Sequence, residues 1–299
     1  MAPNDIEGIV ITHPERVVFP DDGITKQAVA AYYHEAMRRF LPGIAHRPTS
    51  VLRFPEGIGG QGFFQKHPMP GLRHTEAVHL REEGGGWADY LCPADAGSVI
   101  ELVQFGTLEF HPWAARADAP DEADYLVFDL DPGPGVAWRD VIEAARLVRG
   151  RLAGVGLKSF VRTTGGKGLH VVTPLHHACA WDDAKRFTQG FARALARDEP
   201  RGFTSRAAME EREGRIFIDY LRNSRGATSV ASYSLRARRG APVAMPLRWQ
   251  ELGRCRGGQD FHWLAARRRL AQLHGDPWDG FASLRQDLGK ALRTYGATA

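Results

Sequence analysis

Cysteine is scarce in this chain of 299 residues: Cys92, Cys179 and Cys255 stand far apart, and none forms a C-x-x-C pair. That spacing points to neither a zinc site nor a disulfide framework and makes a reducing cytoplasm the expected location. No apolar run approaches the roughly 20 residues of a membrane-spanning helix, and the opening Met1-Ala-Pro-Asn-Asp-Ile-Glu7 has no signal-peptide pattern. No membrane partner is expected. Internal repeats, low-complexity tracts and an obvious interdomain linker are also missing, as is a G-x-x-x-x-G-K-[ST] phosphate loop.

Charge is plentiful and unevenly spread. The chain carries 39 Lys+Arg and 35 Asp+Glu, a net charge of +4 with pI near 9.1. Residues 201–299 hold 18 Lys+Arg against 9 Asp+Glu, a balance of +9, which leaves −5 for residues 1–200. Such asymmetry suits a polyanion-binding face beside an acidic centre, although a cluster such as Arg267-Arg268-Arg269 on a helix also reads as plain solvated surface. With 43% hydrophobic and 25% charged residues, the chain suits one large globular domain or two closely fused lobes.

The acidic centre begins in Tyr125-Leu-Val-Phe-Asp129-Leu-Asp131-Pro132-Gly-Pro134. Strand alternation puts Leu126, Phe128 and Leu130 in one row and Asp129 and Asp131 in the other. The Pro-Gly run after Asp131 ends the strand and predicts that the carboxylates lie at an open edge rather than inside a sheet. Neighbouring carboxylates raise each other's pKa unless a cation bridges them, and Mg²⁺ or Mn²⁺ is the natural oxygen-bound candidate. A solvated strand end, or an N-cap for the helix starting near Trp138, is the alternative. In the second segment, strands at 158–162 and 169–173 flank the turn Thr164-Gly165-Gly166-Lys167-Gly168, whose glycines let backbone N–H groups approach a phosphate; an ordinary glycine hairpin is the alternative. A third carboxylate, Asp219, sits on the apolar strand predicted at 215–221. There it needs a partner, and the metal held by Asp129 and Asp131 is the expected one. Three carboxylates and a phosphate loop are the parts of two-metal nucleotidyl transfer.

Elsewhere, Thr25 reads as the N-cap of a helix over 26–40 with Val29, Tyr32, Tyr33, Ala36, Met37 and Phe40 on its buried face. Helices are predicted over 138–152 and 183–197. Strands are predicted at 50–54, 87–92 and 99–104, and the tryptophans of the C-terminal part read as structural. Arg16 and Lys26 flank the turn before the first helix. Phe63 and Phe64 lie among glycines and cations, where they either stack on bases or pack inside. His111 either faces the acidic site or caps local structure.

These segments occur in an order that resembles the polymerase domain of bacterial ATP-dependent DNA ligase D, in the archaeo-eukaryotic primase superfamily. The likeness runs through His13-Pro14, Gly23-Ile-Thr-Lys26, Phe63-Phe-Gln-Lys66, Glu109-Phe-His111-Pro-Trp113, Asp129-Leu-Asp-Pro132, Gly165-Gly-Lys-Gly-Leu-His170, Ile218-Asp-Tyr-Leu-Arg-Asn223, Tyr233-Ser-Leu-Arg236 and Asp276-Pro-Trp278. It implies an α+β fold: a primase-type, RRM-like catalytic core with mixed or antiparallel sheets flanked by helices, fused to a second α/β lobe. It also implies one primase-polymerase domain over 1–299, with approximate lobes 1–115 and 116–299 and the active cleft between them. By the same resemblance Asp129, Asp131 and Asp219 are the catalytic metal ligands for two ions, Mn²⁺ or Mg²⁺. His111, Thr164, Gly165, Gly166, Lys167, His170 and Arg236 bind the nucleotide, and His13, Arg16 and Lys26 bind the 5′-phosphate of the DNA. Arg53, Phe63 and Phe64 meet template and duplex.

The implied function is a DNA repair polymerase that adds nucleotides, preferring rNTPs to dNTPs, to a primer 3′-OH at gaps or double-strand-break ends during non-homologous end joining. Implied partners are gapped or broken DNA, Ku, an ATP-dependent DNA ligase and a second copy across the break, in the bacterial cytoplasm with the nucleoid. A non-catalytic end-bridging module and short-gap filling in excision repair are the alternatives. A glycosyltransferase leaves Asp219 unexplained, and a haloacid-dehalogenase phosphatase lacks its hydroxyl residue because Gly133 stands there.

Overall fold

Thr25 opens the first long helix as its sequence predicts: the Ala28 N–H donates to the Thr25 hydroxyl at 3.2 Å, and Val29, Tyr32, Tyr33, Ala36, Met37 and Phe40 are all buried. Buried tyrosines need partners for their hydroxyls. Tyr32 donates to the Tyr233 carbonyl at 2.8 Å, and Tyr33 donates to the Leu108 carbonyl at 2.7 Å while accepting from the Leu235 N–H at 3.1 Å. These bonds pin the helix to segments about 75 and 200 residues away in sequence.

The structure, a computed structural model, describes residues 4–82 and 84–296. Its helices are α1 (Lys26–Phe40), α2 (Ala96–Gln104), α3 (Trp138–Gly154), α4 (Trp181–Asp198), α5 (Trp263–Gln272) and α6 (Gly289–Tyr295). The chain divides into two units, each built from separate stretches: Met1–Asp118 with Thr228–Met245 and Phe261–His274, and Ala119–Ala227 with Pro246–Asp260 and Gly275–Ala299. Both are α+β, with short or central sheets flanked by helices. No described helix is long and apolar enough to cross a membrane.

In the first unit, short antiparallel pairs join β1 (Asp5–Ile6) to β2 (Ile9–Val10) and β3 (Val17–Phe19) to β4 (Ile24–Thr25). A three-stranded antiparallel sheet follows, with β5 (Thr49–Arg53) between β6 (Phe63–Gln65) and β9 (Thr107–Pro112). The hairpin of β7 (Glu76–Arg81) and β8 (Trp87–Cys92) stands as its own pair. Residues 99–104, predicted as a strand, are instead the body of α2. Asp95 caps that helix by accepting from the Ser98 N–H at 2.8 Å, while the Ser98 hydroxyl accepts from the Asp95 N–H at 3.1 Å. A short apolar run fits either period, and the capping box decides for helix.

In the second unit the sheet order is β13 (Phe203–Thr204), β14 (Ile216–Asp219), β10 (Glu122–Pro132), β12 (Leu169–Ala180), β11 (Phe160–Thr163), β15 (Pro246–Leu247). Every pairing is antiparallel except β13 with β14. Leu126, Phe128 and Leu130 are fully buried, and Phe128 packs against Phe191 of α4 with ring centroids 4.9 Å apart. Phe187, Phe191 and Leu195 form a buried stripe on α4, and Tyr295 of α6 packs on both phenylalanines. The indoles of Trp249 and Trp278 donate to the carbonyls of Ser159 and Val161 at 2.8 and 2.9 Å, the structural role expected of them.

One expectation about the site is corrected here. Asp129 does not lie at an open sheet edge, because β10 is paired there on both sides, Asp129 facing His170 of β12 and Asp219 of β14. The strand ends at Pro132, and β14 runs alongside to that point while the pairing with β12 stops at Leu130, so Asp129 stands on a sheet face and Asp131 is paired on the β14 side. The N-cap alternative also fails: α3 is entered at Ala137, and no side chain caps it.

Candidate active site

Register brings the acidic centre together. Asp129 and Asp219 are cross-strand partners on β10 and β14, and Asp131 follows Asp129 by two residues on the same face. Burial and the neighbouring Asp129 raise the Asp131 carboxyl above its usual range, with Arg212 and Lys167 pulling the other way. Burial likewise raises Asp219, against the pull of Arg222. Burial opposes the charge on Asp129 too, but His170, Arg222 and Arg162 outweigh it and hold that carboxyl low.

The cations answering these carboxylates are arginines. Arg212 Nη1 donates to Asp131 Oδ2 at 2.7 Å, and Arg222 Nε lies 3.1 Å from Asp219 Oδ2 and 3.5 Å from Asp129 Oδ2. Arg222 is thus the side chain that answers the Asp219 charge within the protein. Arg212 reaches Asp131 because the turn after β10 is braced on its segment. The Gly133 N–H donates to the Arg215 carbonyl at 2.9 Å, and a Cβ at Gly133 would fall 1.8 Å from the Arg212 carbonyl oxygen. Only glycine allows that approach.

Among the described residues, no three His, Cys, Asp or Glu side chains are arranged as they stand to hold a metal ion. The donor set nonetheless fits a hard divalent cation: three carboxylates on one sheet face, all oxygen, with guanidinium groups answering their charge.

The hairpin beside this centre has the predicted form. β11 and β12 pair through Thr163↔Leu169 and Arg162↔His170, with residues 164–168 as the turn. Thr164 and Gly166 hold the loop shut: the Thr164 hydroxyl donates to the Gly168 carbonyl and accepts from the Gly166 N–H, both at 3.1 Å. Gly165 has φ +63°, and a Cβ on Gly168 would meet the Leu130 carbonyl oxygen at 2.1 Å. Gly168 is therefore required by packing against β10, and Lys167 is exposed at the tip.

His170 is buried, and burial pushes its imidazole down to about 4 despite Asp129, so it is neutral at neutral pH. Its Nδ1 accepts from Arg162 Nε and Nη2 at 3.1 and 3.0 Å, which places the proton on Nε2, 3.5 Å from Asp129 Oδ2. Arg162 is a site residue that sequence reading passed over, although the hairpin register opposite His170 was there to show it.

Asn223 was also passed over. Where β14 stops, the Asn223 side chain continues its pairing with β10, accepting from the Val127 N–H at 2.8 Å and donating to the Val127 carbonyl at 2.7 Å. Asn223→Ala should destabilise the protein by about 2–6 kcal/mol, one desolvation penalty of about 1–3 kcal/mol for each orphaned backbone group. Urea unfolding measures this, and an unchanged midpoint would show that the amide is dispensable.

In the first unit, His13, Arg16, Lys26 and Arg53 line one pocket of about 240 Å³. Arg16 Nη1 donates to the Pro55 carbonyl at 2.7 Å and lies 3.3 Å from Glu56 Oε1, and Lys26 Nζ donates to the Thr12 carbonyl at 2.9 Å. His13 has φ +51°. Burial and the charge of Arg16 lower the Lys26 ammonium to about 8. Arg53, expected at the template, is held by the Phe105 carbonyl at 2.9 Å and shares this pocket. Phe63 and Phe64 are 44% and 60% exposed, so neither packs inside the core. Phe64 meets His111 edge-on at 5.6 Å. His111 Nε2 bonds Glu109 Oε2 at 2.9 Å, and Arg236 Nε donates to the same oxygen at 2.8 Å.

Residues 25–278 match the model of the family described as LigD, primase-polymerase domain. The chain belongs to this family. As a primase-polymerase domain it is a nucleotidyltransferase of a generally metal-dependent kind. It is 37% identical over 291 residues to the multifunctional non-homologous end joining protein LigD of Pseudomonas aeruginosa, covering 96% of this chain and 34% of that protein. The LigD of Mycobacterium tuberculosis strain H37Rv is 34% identical over 256 residues, 82% of this chain and 33% of that one. The chain thus spans about a third of these relatives. Among solved structures, the polymerase domain from M. tuberculosis ligase D in complex with DNA superposes with a TM-score of 0.86 at 31% identity, covering 92% of this chain and 98% of that one. The primase-polymerase resemblance and the α+β fold expected from sequence are both borne out.

Proposed function

We propose that this LigD-type domain is a DNA repair polymerase that adds nucleotides, ribonucleotides by preference, to a primer 3′-OH at gaps and double-strand-break ends in non-homologous end joining. The observation carrying this reading is the register-paired Asp129 and Asp219, with Asp131 beside them and a closed glycine loop on the adjacent hairpin. Two divalent cations, Mn²⁺ or Mg²⁺, held by Asp129, Asp131 and Asp219 would lower the pKa of the 3′-hydroxyl and stabilise the leaving pyrophosphate.

The protein's own groups do the rest. The neutral His170, proton on Nε2, orients Asp129. Lys167 and the loop N–H groups at 165–166 meet the phosphates, while Arg212 and Arg222 offset the carboxylate charge. His111 and Arg236 hold the sugar and phosphates of the incoming nucleotide. Phe63 and Phe64 stack on template bases, a contact worth about 1–3 kcal/mol per base. His13, Arg16 and Lys26 hold the downstream 5′-phosphate, and the basic C-terminal third adds sequence-independent, salt-sensitive affinity for DNA. Ku, a DNA ligase and a second copy across the break are the partners this role calls for. The exposed phenylalanines and basic pocket also suit a second reading, a module that holds ends without chemistry.

Single-nucleotide insertion on a one-nucleotide gapped duplex, with and without a downstream 5′-phosphate, separates the two. With Mn²⁺, templated insertion should occur, be stimulated by the phosphate and favour rNTP over dNTP. Intact gap binding with no insertion under any condition would establish the end-binding module instead.

A further inference from the structure

We infer that Glu109 is a positioning residue, the hub that sets His111 and Arg236 in the orientation that receives the incoming nucleotide. The inference rests on the reading above, in which those two side chains hold the sugar and phosphates.

Glu109 is only 2% exposed, on strand β9. A buried carboxylate is expensive unless donors surround it. Here three converge: the Ala237 N–H at 2.7 Å on Oε1, with Arg236 Nε at 2.8 Å and His111 Nε2 at 2.9 Å on Oε2. Alternation along β9 puts Glu109 and His111 on one face, and the segment after the Leu235↔Val243 bridge delivers Arg236 and the Ala237 amide. Burial opposes the charge, yet His111, Arg236 and the amide outweigh it and hold the carboxyl at about 2.

The geometry has two consequences for the chemistry. The bond to Glu109 keeps a proton on His111 Nε2 and fixes the orientation of the ring. Anchoring at Nε fixes the plane of the Arg236 guanidinium, which decides how its fork meets a phosphate. Phe64, edge-on at 5.6 Å, walls the imidazole on another side. A carboxylate that merely neutralised Arg236 would not need to set either orientation.

Glu109→Gln tests this, because it keeps the shape and one acceptor oxygen but sets an NH₂ against at least one donor. Loss of a buried charge-assisted hydrogen bond should raise KM for the nucleotide by about 10- to 100-fold, with a smaller change in kcat and the 5′-phosphate stimulation retained. In the protein alone, ¹⁵N shifts of the His111 ring should report an Nε2–H imidazole in the parent and a shift towards the Nδ1–H form in the variant. Arg236→Lys, which keeps the charge and loses the fork, should raise KM comparably.

Unchanged KM in Arg236→Ala and His111→Ala would defeat the underlying nucleotide assignment. Raised KM in those two, with parental KM and ring tautomer in Glu109→Gln, would overturn the role of Glu109 alone. Should Glu109→Gln fail to fold, full activity in Arg236→Lys would overturn it instead.

Discussion

Asp219→Asn is expected to lower nucleotide addition by at least about 10²–10³-fold, the scale at which one group stabilising transition-state charge is lost. The substitution keeps the shape of the side chain, and its amide oxygen can still accept from the Leu221 N–H, a bond of 2.9 Å to the carboxylate. Repulsion between Asp219 and Asp129 disappears, since burial and the neighbouring carboxylate are what raise the Asp219 carboxyl. The thermal midpoint should therefore hold or rise, and binding to gapped DNA should persist. Measuring insertion, melting and DNA binding on the same preparation distinguishes a lost catalytic ligand from a lost fold. Near-parental insertion would remove Asp219 from the site.

A second large effect is expected in the basic pocket. Arg16→Ala combined with Lys26→Ala should reduce the preference for a downstream 5′-phosphate by about 10²-fold or more, because charge-assisted hydrogen bonds contribute about 1.5–3 kcal/mol each. Extension of a simple primer with no downstream strand should change little, and equal losses on both substrates would contradict the assignment. The helix itself should survive, since its cap is the Thr25 hydroxyl and its buried face lies elsewhere.

Lys26 adds a pH signature. Its ammonium, lowered to about 8 by burial and Arg16, is charged at pH 7 and loses that charge as pH rises through 8. A terminal phosphate, with its second pKa of about 6, stays dianionic over the same range. Phosphate stimulation should therefore fall between pH 7 and 9 in the parent and be flatter in Lys26→Gln. A parental decline in that variant would assign the titration to another group.

Much of the site was legible because it depends on short-range pattern. Asp129 and Asp131 follow from period-2 alternation, the β11–β12 turn from its glycines, and α1 from its cap and apolar spacing. The ordered motifs then carried the family. What escaped did so for identifiable reasons. Residues 99–104 fit both periods, and the Asp95 and Ser98 side chains that settle the matter lie before the run. The paired position of β10 follows from its neighbours, not from its own residues.

The sequence by itself determined which side chains are the candidates for the chemistry, since carboxylates at strand spacing, a glycine turn and flanking cations are local properties of the chain. Tertiary structure alone decided what answers them. Arg212 meets Asp131 across 81 residues, Asn223 completes the pairing of Val127 across 96, and Arg236 meets Glu109 across 127. Those contacts exist because sheet register and burial bring distant segments together, and a buried charge or backbone group then takes whichever partner packing delivers.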